Sequence, residues 1–128
     1  MKALIVDGGQ ALRTMVGYML DAEGFDVRHA PGTDELMGFL DRGFAPDVVV
    51  AFQSKSVSDL THLRWLKAHP AMKRVPMIMV AHKEDLERQM EWREAGVTCW
   101  LTWPITHEQL LEMVWMVVFP KQNRLSES

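Results

Sequence analysis

Apolar residues along this chain fall into short clustered runs that alternate with stretches of helical spacing. The first run, residues 3–6, is ended by Asp7-Gly8-Gly9, a strand-then-turn signal. Leu12, Met15, Val16, Met19 and Leu20 then recur at intervals of three and four, and Gly24 stops the helix they predict. Residues 25–29 read as a second strand and residues 33–40 as a second helix, with Leu36, Phe39 and Leu40 inward and Gly43 after it. Residues 48–51 are consecutive small and β-branched side chains, the composition of a central parallel strand covered on both faces. A third helix is predicted over 60–68 with Leu63 and Leu66 inward, a fourth strand over 75–80, and a fourth helix over 84–95 stopped by Gly96. Residues 98–101 give a fifth strand. Residues 108–119 give a fifth helix with Leu110, Leu111, Val114 and Val118 as its stripe, Thr106 as N-cap and Pro120 as its end.

Strands alternating with helices in this way imply right-handed crossovers and an open, doubly wound parallel sheet of α/β class with helices on both faces. The pattern alone leaves the strand order open. A chain of 128 residues predicts one domain, residues 1–119, followed by a polar tail at 120–128.

Composition narrows the class. Hydrophobic content of 48% with 24% charged residues is that of a globular protein. The longest apolar run, residues 113–119, is too short to span a bilayer, and no basic segment precedes an apolar stretch at the start. A cytoplasmic protein without membrane contact is therefore expected. A formal charge of −3 with no basic stripe gives no reason to expect nucleic acid. Cys99 stands alone in an apolar stretch and reads as a buried structural thiol. Five tryptophans and ten methionines are many for this length, enough to supply a contact surface as well as a core.

Several segments carry a family resemblance: Lys2-Ala3-Leu4-Ile5-Val6-Asp7, Pro46-Asp47-Val48-Val49-Val50, Val75-Pro76-Met77-Ile78-Met79-Val80, Glu94-Ala95-Gly96-Val97 and Leu101-Thr102-Trp103-Pro104. Together they span nearly the whole chain, which resembles a response-regulator receiver domain, the phosphoacceptor module of two-component signalling. The resemblance implies a flavodoxin-like strand order, 2-1-3-4-5, with the site at the carboxyl ends of the strands. It also implies two acids after the first strand that help hold magnesium, and an aspartate after the third that takes the phosphoryl group. A Thr or Ser after the fourth strand and a Lys after the fifth would bind the phosphoryl oxygens. The chemistry needs each: a carboxylate nucleophile, hard oxygen ligands for the metal, and a fixed cation and hydroxyl to clamp the transferring charge.

This sequence departs from that pattern at most of those positions. Asp7 matches the first acid, but Gly8 replaces the second. Phe52 stands for the phosphoacceptor, Ala81 for the hydroxyl residue and Trp103 for the lysine, whereas Pro104 is retained. Lys55-Ser56 replaces the usual Met-Pro pair and Asp59-Leu60 the usual Asp-Gly. Two of the replacements are large aromatics, so the pocket is expected to be filled; burying one such ring contributes roughly 2–3 kcal/mol. The bond from Trp103 to Pro104 matches one that is typically cis in receivers and is predicted cis.

Other features weigh less. Asp7 reads as a solvated or capping carboxylate before a residual metal ligand. Gly8-Gly9 lacks the remainder of a phosphate-binding motif and reads as a tight turn. The histidines at 29, 62, 69, 82 and 107 have no metal-ligand spacing, with His82 nearest the rim. Ser58 reads as an N-cap, and Ser54 and Ser56 as polar loop residues.

The expected function is that of a non-phosphorylatable pseudo-receiver, without enzymatic activity, metal or cofactor. It would act in signal transduction through a protein partner or as a homodimer. The resemblance points to the face built by the fourth helix, fifth strand and fifth helix, with Trp92, Trp100 and Trp115 as candidate contacts; Trp100 matches the family's switching aromatic. The alternatives are a small ligand held by Phe52 and Trp103, or phosphorylation at Asp7 or Asp59. The short tail predicts no DNA-binding output domain.

Overall fold

The computed structural model describes residues 1–6, 9–30, 33–52 and 58–119, without the side chains of 33 and 58–62. Five strands, β1 (Lys2–Val6), β2 (Asp26–Ala30), β3 (Val48–Phe52), β4 (Met77–Ala81) and β5 (Cys99–Thr102), form one parallel sheet in the order β2-β1-β3-β4-β5. This is the flavodoxin-like order that the resemblance implies. Every residue of β3 and β4 is buried, as their unbroken apolar sequences require of strands covered on both faces.

The helices are α1 (Gln10–Ala22), α2 (Thr33–Asp41), α3 (Ser58–Ala68), α4 (Gln89–Glu94) and α5 (His107–Val118). Side chains alternate across the sheet, so its two faces build two cores. Leu4, Val6, Val49, Ala51, Met77 and Met79 meet Leu36 and Leu40 of α2, Leu63 and Leu66 of α3, and Trp92 of α4. Ala3, Ile5, Val48, Val50, Phe52, Ile78 and Val80 meet Val16 and Leu20 of α1 and Leu110 and Val114 of α5. Gly24, Gly43 and Gly96 follow α1, α2 and α4 with φ of 89°, 92° and 104°, the left-handed geometry in which glycine ends helices. Thr106 caps α5 through a full capping box: its hydroxyl accepts from the Gln109 backbone N–H at 3.0 Å, and the Gln109 side chain accepts from the Thr106 N–H at 2.9 Å.

Two expectations are corrected. The helix predicted over 84–95 is a 3₁₀ segment, Lys83–Arg88, leading into a short α4. Leu86 is the only apolar residue of that first segment and is only half-buried, so little packing fixes a regular α-turn there. Met15 is exposed rather than inward, because Val16 and Leu20 take the sheet-facing positions of α1. The predicted cap at Ser58 and the tail at 120–128 lie outside the described residues and side chains. No helix among the described residues is long and apolar enough to cross a membrane.

Candidate functional site

In a parallel sheet the loops after the strands meet along one rim, and β1, β3, β4 and β5 bring the candidate residues to it. Phe52 ends β3, and Ala81 ends β4. The chain leaving β5 passes Thr102 and turns through Trp103-Pro104, whose peptide bond is cis. A hydrogen bond from the Trp103 backbone N–H to the Ala81 carbonyl, 2.7 Å long, ties that turn to the end of β4. Asp7 and Gly8 lie outside the described residues, as do Ser54, Lys55 and Ser56, and the side chain of Asp59 is not described.

The described residues of the rim are packed against one another. Phe52 is only 4% exposed and belongs to the α1/α5 core, beside Val80, its partner in β4, and the half-buried Leu12 and Trp103. Leu12, Phe52, Val80, Ala81, His82 and Trp103 enclose a void of about 20 Å³. A single water needs roughly 10–15 Å³ measured in this way, so the void has room for about one water and none for an aromatic ligand. His82 lies exposed beside it and precedes the 3₁₀ segment, making no side-chain capping bond.

Magnesium is the ion that a receiver's site would hold, and it demands near-octahedral oxygen donors. Phe52, Ala81 and Trp103 carry no side-chain oxygen. No group of three or more His, Cys, Asp or Glu side chains is gathered to hold a metal among the described residues. The described residues of this rim therefore do not fit the ion.

The three candidate tryptophans are not brought to one surface. Trp92 is fully buried between α4 and the sheet, and its Nε1 has no hydrogen-bond partner among the described residues. It is a core residue, corrected from a candidate contact: the other large apolar side chain of α4, Met90, is 68% exposed, so Trp92 alone seats the helix against the sheet. Trp100 of β5 is half-buried, meets Trp92 edge-on at 5.9 Å, and carries the Arg93 guanidinium 5.7 Å from its ring centre. Trp115 is 37% exposed but packs on Phe25, just before β2, at 5.6 Å and stacks on Phe119 at 5.7 Å. Met113 of α5 touches Cys99 of β5, sulfur to sulfur at 3.1 Å. Met116, one turn farther along that side, is 47% exposed. Sequence reasoning did not single out Met116, nor Trp65 of α3, which is 59% exposed. Burial raises the Cys99 thiol to about 11, as expected of an inert structural cysteine.

The chemotaxis protein CheY4 of Vibrio cholerae superposes on this fold with a TM-score of 0.79 at 26% identity, covering 91% of this chain and 97% of that one. The chain has the fold of CheY-like receiver domains. A response-regulator receiver domain protein from Clostridium thermocellum has the same fold, with a TM-score of 0.77 at 21% identity over 94% of this chain and 96% of its own. In sequence, the chain is 24% identical over 113 residues to the phosphate regulon transcriptional regulatory protein PhoB of Rhizobium meliloti, matching 88% of this chain. It spans about half the length of that relative. No family model matches the sequence.

Proposed function

We propose that this receiver domain works in signalling without accepting a phosphoryl group at its rim, and that it acts through protein–protein contact. The observation that carries the reading is the burial of Phe52 at the end of β3, closed over by Trp103 around a void of one-water size. A phenyl ring offers no nucleophile. The positions that would bind phosphoryl oxygens hold a methyl group, Ala81, and an indole, Trp103. A phosphoryl group placed there would shed its water for apolar neighbours, and an unpaired buried charge of that kind is strongly disfavoured. The reading therefore assigns no catalytic step and no cofactor to the chain.

The contact surface that we assign is the side of α5 facing β5, together with β5 and α4. Trp100, Arg93 and Met116 are its exposed or half-exposed members, and Trp92 is its buried support. An Arg-covered tryptophan and an exposed, flexible methionine are residue types enriched at interfaces. Incubation with acetyl phosphate and magnesium, followed by intact-mass measurement, tests the first half. The expected spectrum is unchanged, and an added phosphoryl group removed by hydroxylamine would refute it. For the second half, Trp100→Ala and Met116→Glu are expected to weaken association with a partner or a second copy in analytical ultracentrifugation. Unchanged association would move the surface elsewhere.

A further inference from the structure

At the opposite end of the sheet from the rim, the first residues of β1 and β2 and the end of α2 enclose a cleft of about 370 Å³. Its walls are Lys2, Asp26, Arg28, Phe39, Arg42 and Phe44. Phe39 and Phe44 meet at 6.2 Å between ring centres. Lys2 Nζ stands 5.7 Å and the Arg28 guanidinium 5.3 Å from the centre of the Phe44 ring, and the Arg42 guanidinium lies 5.6 Å from that of Phe39. Three cations are thus held around two rings, with Asp26 the only carboxylate in the wall, and Asp26 is engaged by Arg28. The Lys2 ammonium and the Arg42 guanidinium make no ion pair or hydrogen bond among the described residues.

Two of these cations stand over Phe44 and the third over Phe39. Asp47, whose carboxylate accepts from the Lys2 backbone N–H at 2.8 Å, and Asp26 offset two of the three cations, which leaves the cluster positive on a chain whose net charge is −3. Like charges held together repel unless a counter-charge arrives, and such a patch attracts anions in preference to the rest of the surface. The aromatic floor adds an apolar component that a simple ion would not use. The cleft also opens beside β2, an edge strand of the sheet, where Arg28 covers the Val27 carbonyl at 3.3 Å. We infer that this cleft docks an acidic segment of a partner protein, its carboxylates on Lys2, Arg28 and Arg42 and an apolar side chain against Phe39 and Phe44. The inference stands whether or not the rim is reactive, since the two surfaces share no residue.

The test is fluorescence anisotropy with a labelled peptide of alternating glutamates around a central phenylalanine, using the full chain. Binding is expected to weaken as salt rises from about 0.01 to 0.15 M, over which the screening length shrinks from roughly 30 to 8 Å. Arg42→Glu should weaken it by about tenfold or more, and Lys2→Gln by less. Arg64→Glu, an exposed charge change on α3, should leave it unchanged. A thermal melt of each variant separates lost docking from lost folding, and Lys2→Gln, at the start of β1, supplies an independent reading if Arg42→Glu unfolds. No binding, binding indifferent to Arg42→Glu in a folded variant, or equal competition by free phosphate would each overturn the inference.

Discussion

Replacing Phe52 by alanine is the perturbation that most directly asks whether the rim is a packed core. The ring is 4% exposed and sits beside Val80, Leu12 and Trp103, so nearly all of its surface is removed from water. Burying a phenylalanine contributes about 1.5–3 kcal/mol by transfer alone. The cavity left by truncation adds to this, bringing Phe→Ala substitutions to roughly 3–5 kcal/mol. Phe52 lies at the end of its strand, where water can enter the vacated space, which places the expected cost near the lower bound of about 3 kcal/mol. For a domain of this size, that lowers Tm by roughly 10 °C. Urea unfolding followed by circular dichroism measures it, with the midpoint shifting and the slope m preserved. The enlarged void should also admit a small apolar molecule such as indole, which would partly restore Tm by mass action. A loss below about 1 kcal/mol, outside the range for buried aromatics, would mean that the ring is not packed and the rim is open.

Three further outcomes are expected. Thr106→Ala removes the hydroxyl half of the α5 capping box and should cost about 1 kcal/mol in the same unfolding assay. Gly96→Ala puts a side chain at φ 104° with its Cβ 2.7 Å from Lys67 Cγ, and should cost more than about 1 kcal/mol. Cys99 holds its proton more tightly folded, near 11, than its ordinary value of 9.0. The unfolded chain therefore ionises first as pH rises, and stability should fall between those two values, with Cys99→Ala flattening that part of the profile.

What the sequence disclosed and what it concealed divide along physical lines. The order of elements, the buried β3, the glycine stops and the Thr106 cap are local signals, each decided within a few residues, and the structure has them as read. The cis bond at Trp103-Pro104 and the strand order came from family resemblance instead. Features that depend on tertiary neighbours were not legible. Periodicity placed Trp92 on a helix but could not say that α4 would use it as the anchor into the sheet. Trp115 turns toward Phe25, a partner ninety residues earlier in the chain, so no local pattern marks its direction. The cationic cleft gathers residue 2, residues 26 and 28, and residues 39–44 from three segments that show no basic stripe in sequence.

The account turns on a rim closed to phosphoryl chemistry, and tryptophan fluorescence during titration with magnesium and beryllofluoride, a mimic of the aspartyl-phosphate, tests it most directly. Trp103 lies in the rim and Trp100 just beneath it on β5, so an occupied site would change their surroundings. The account predicts a flat titration; a saturable, magnesium-dependent change would contradict it and return the rim to service as a phosphoacceptor.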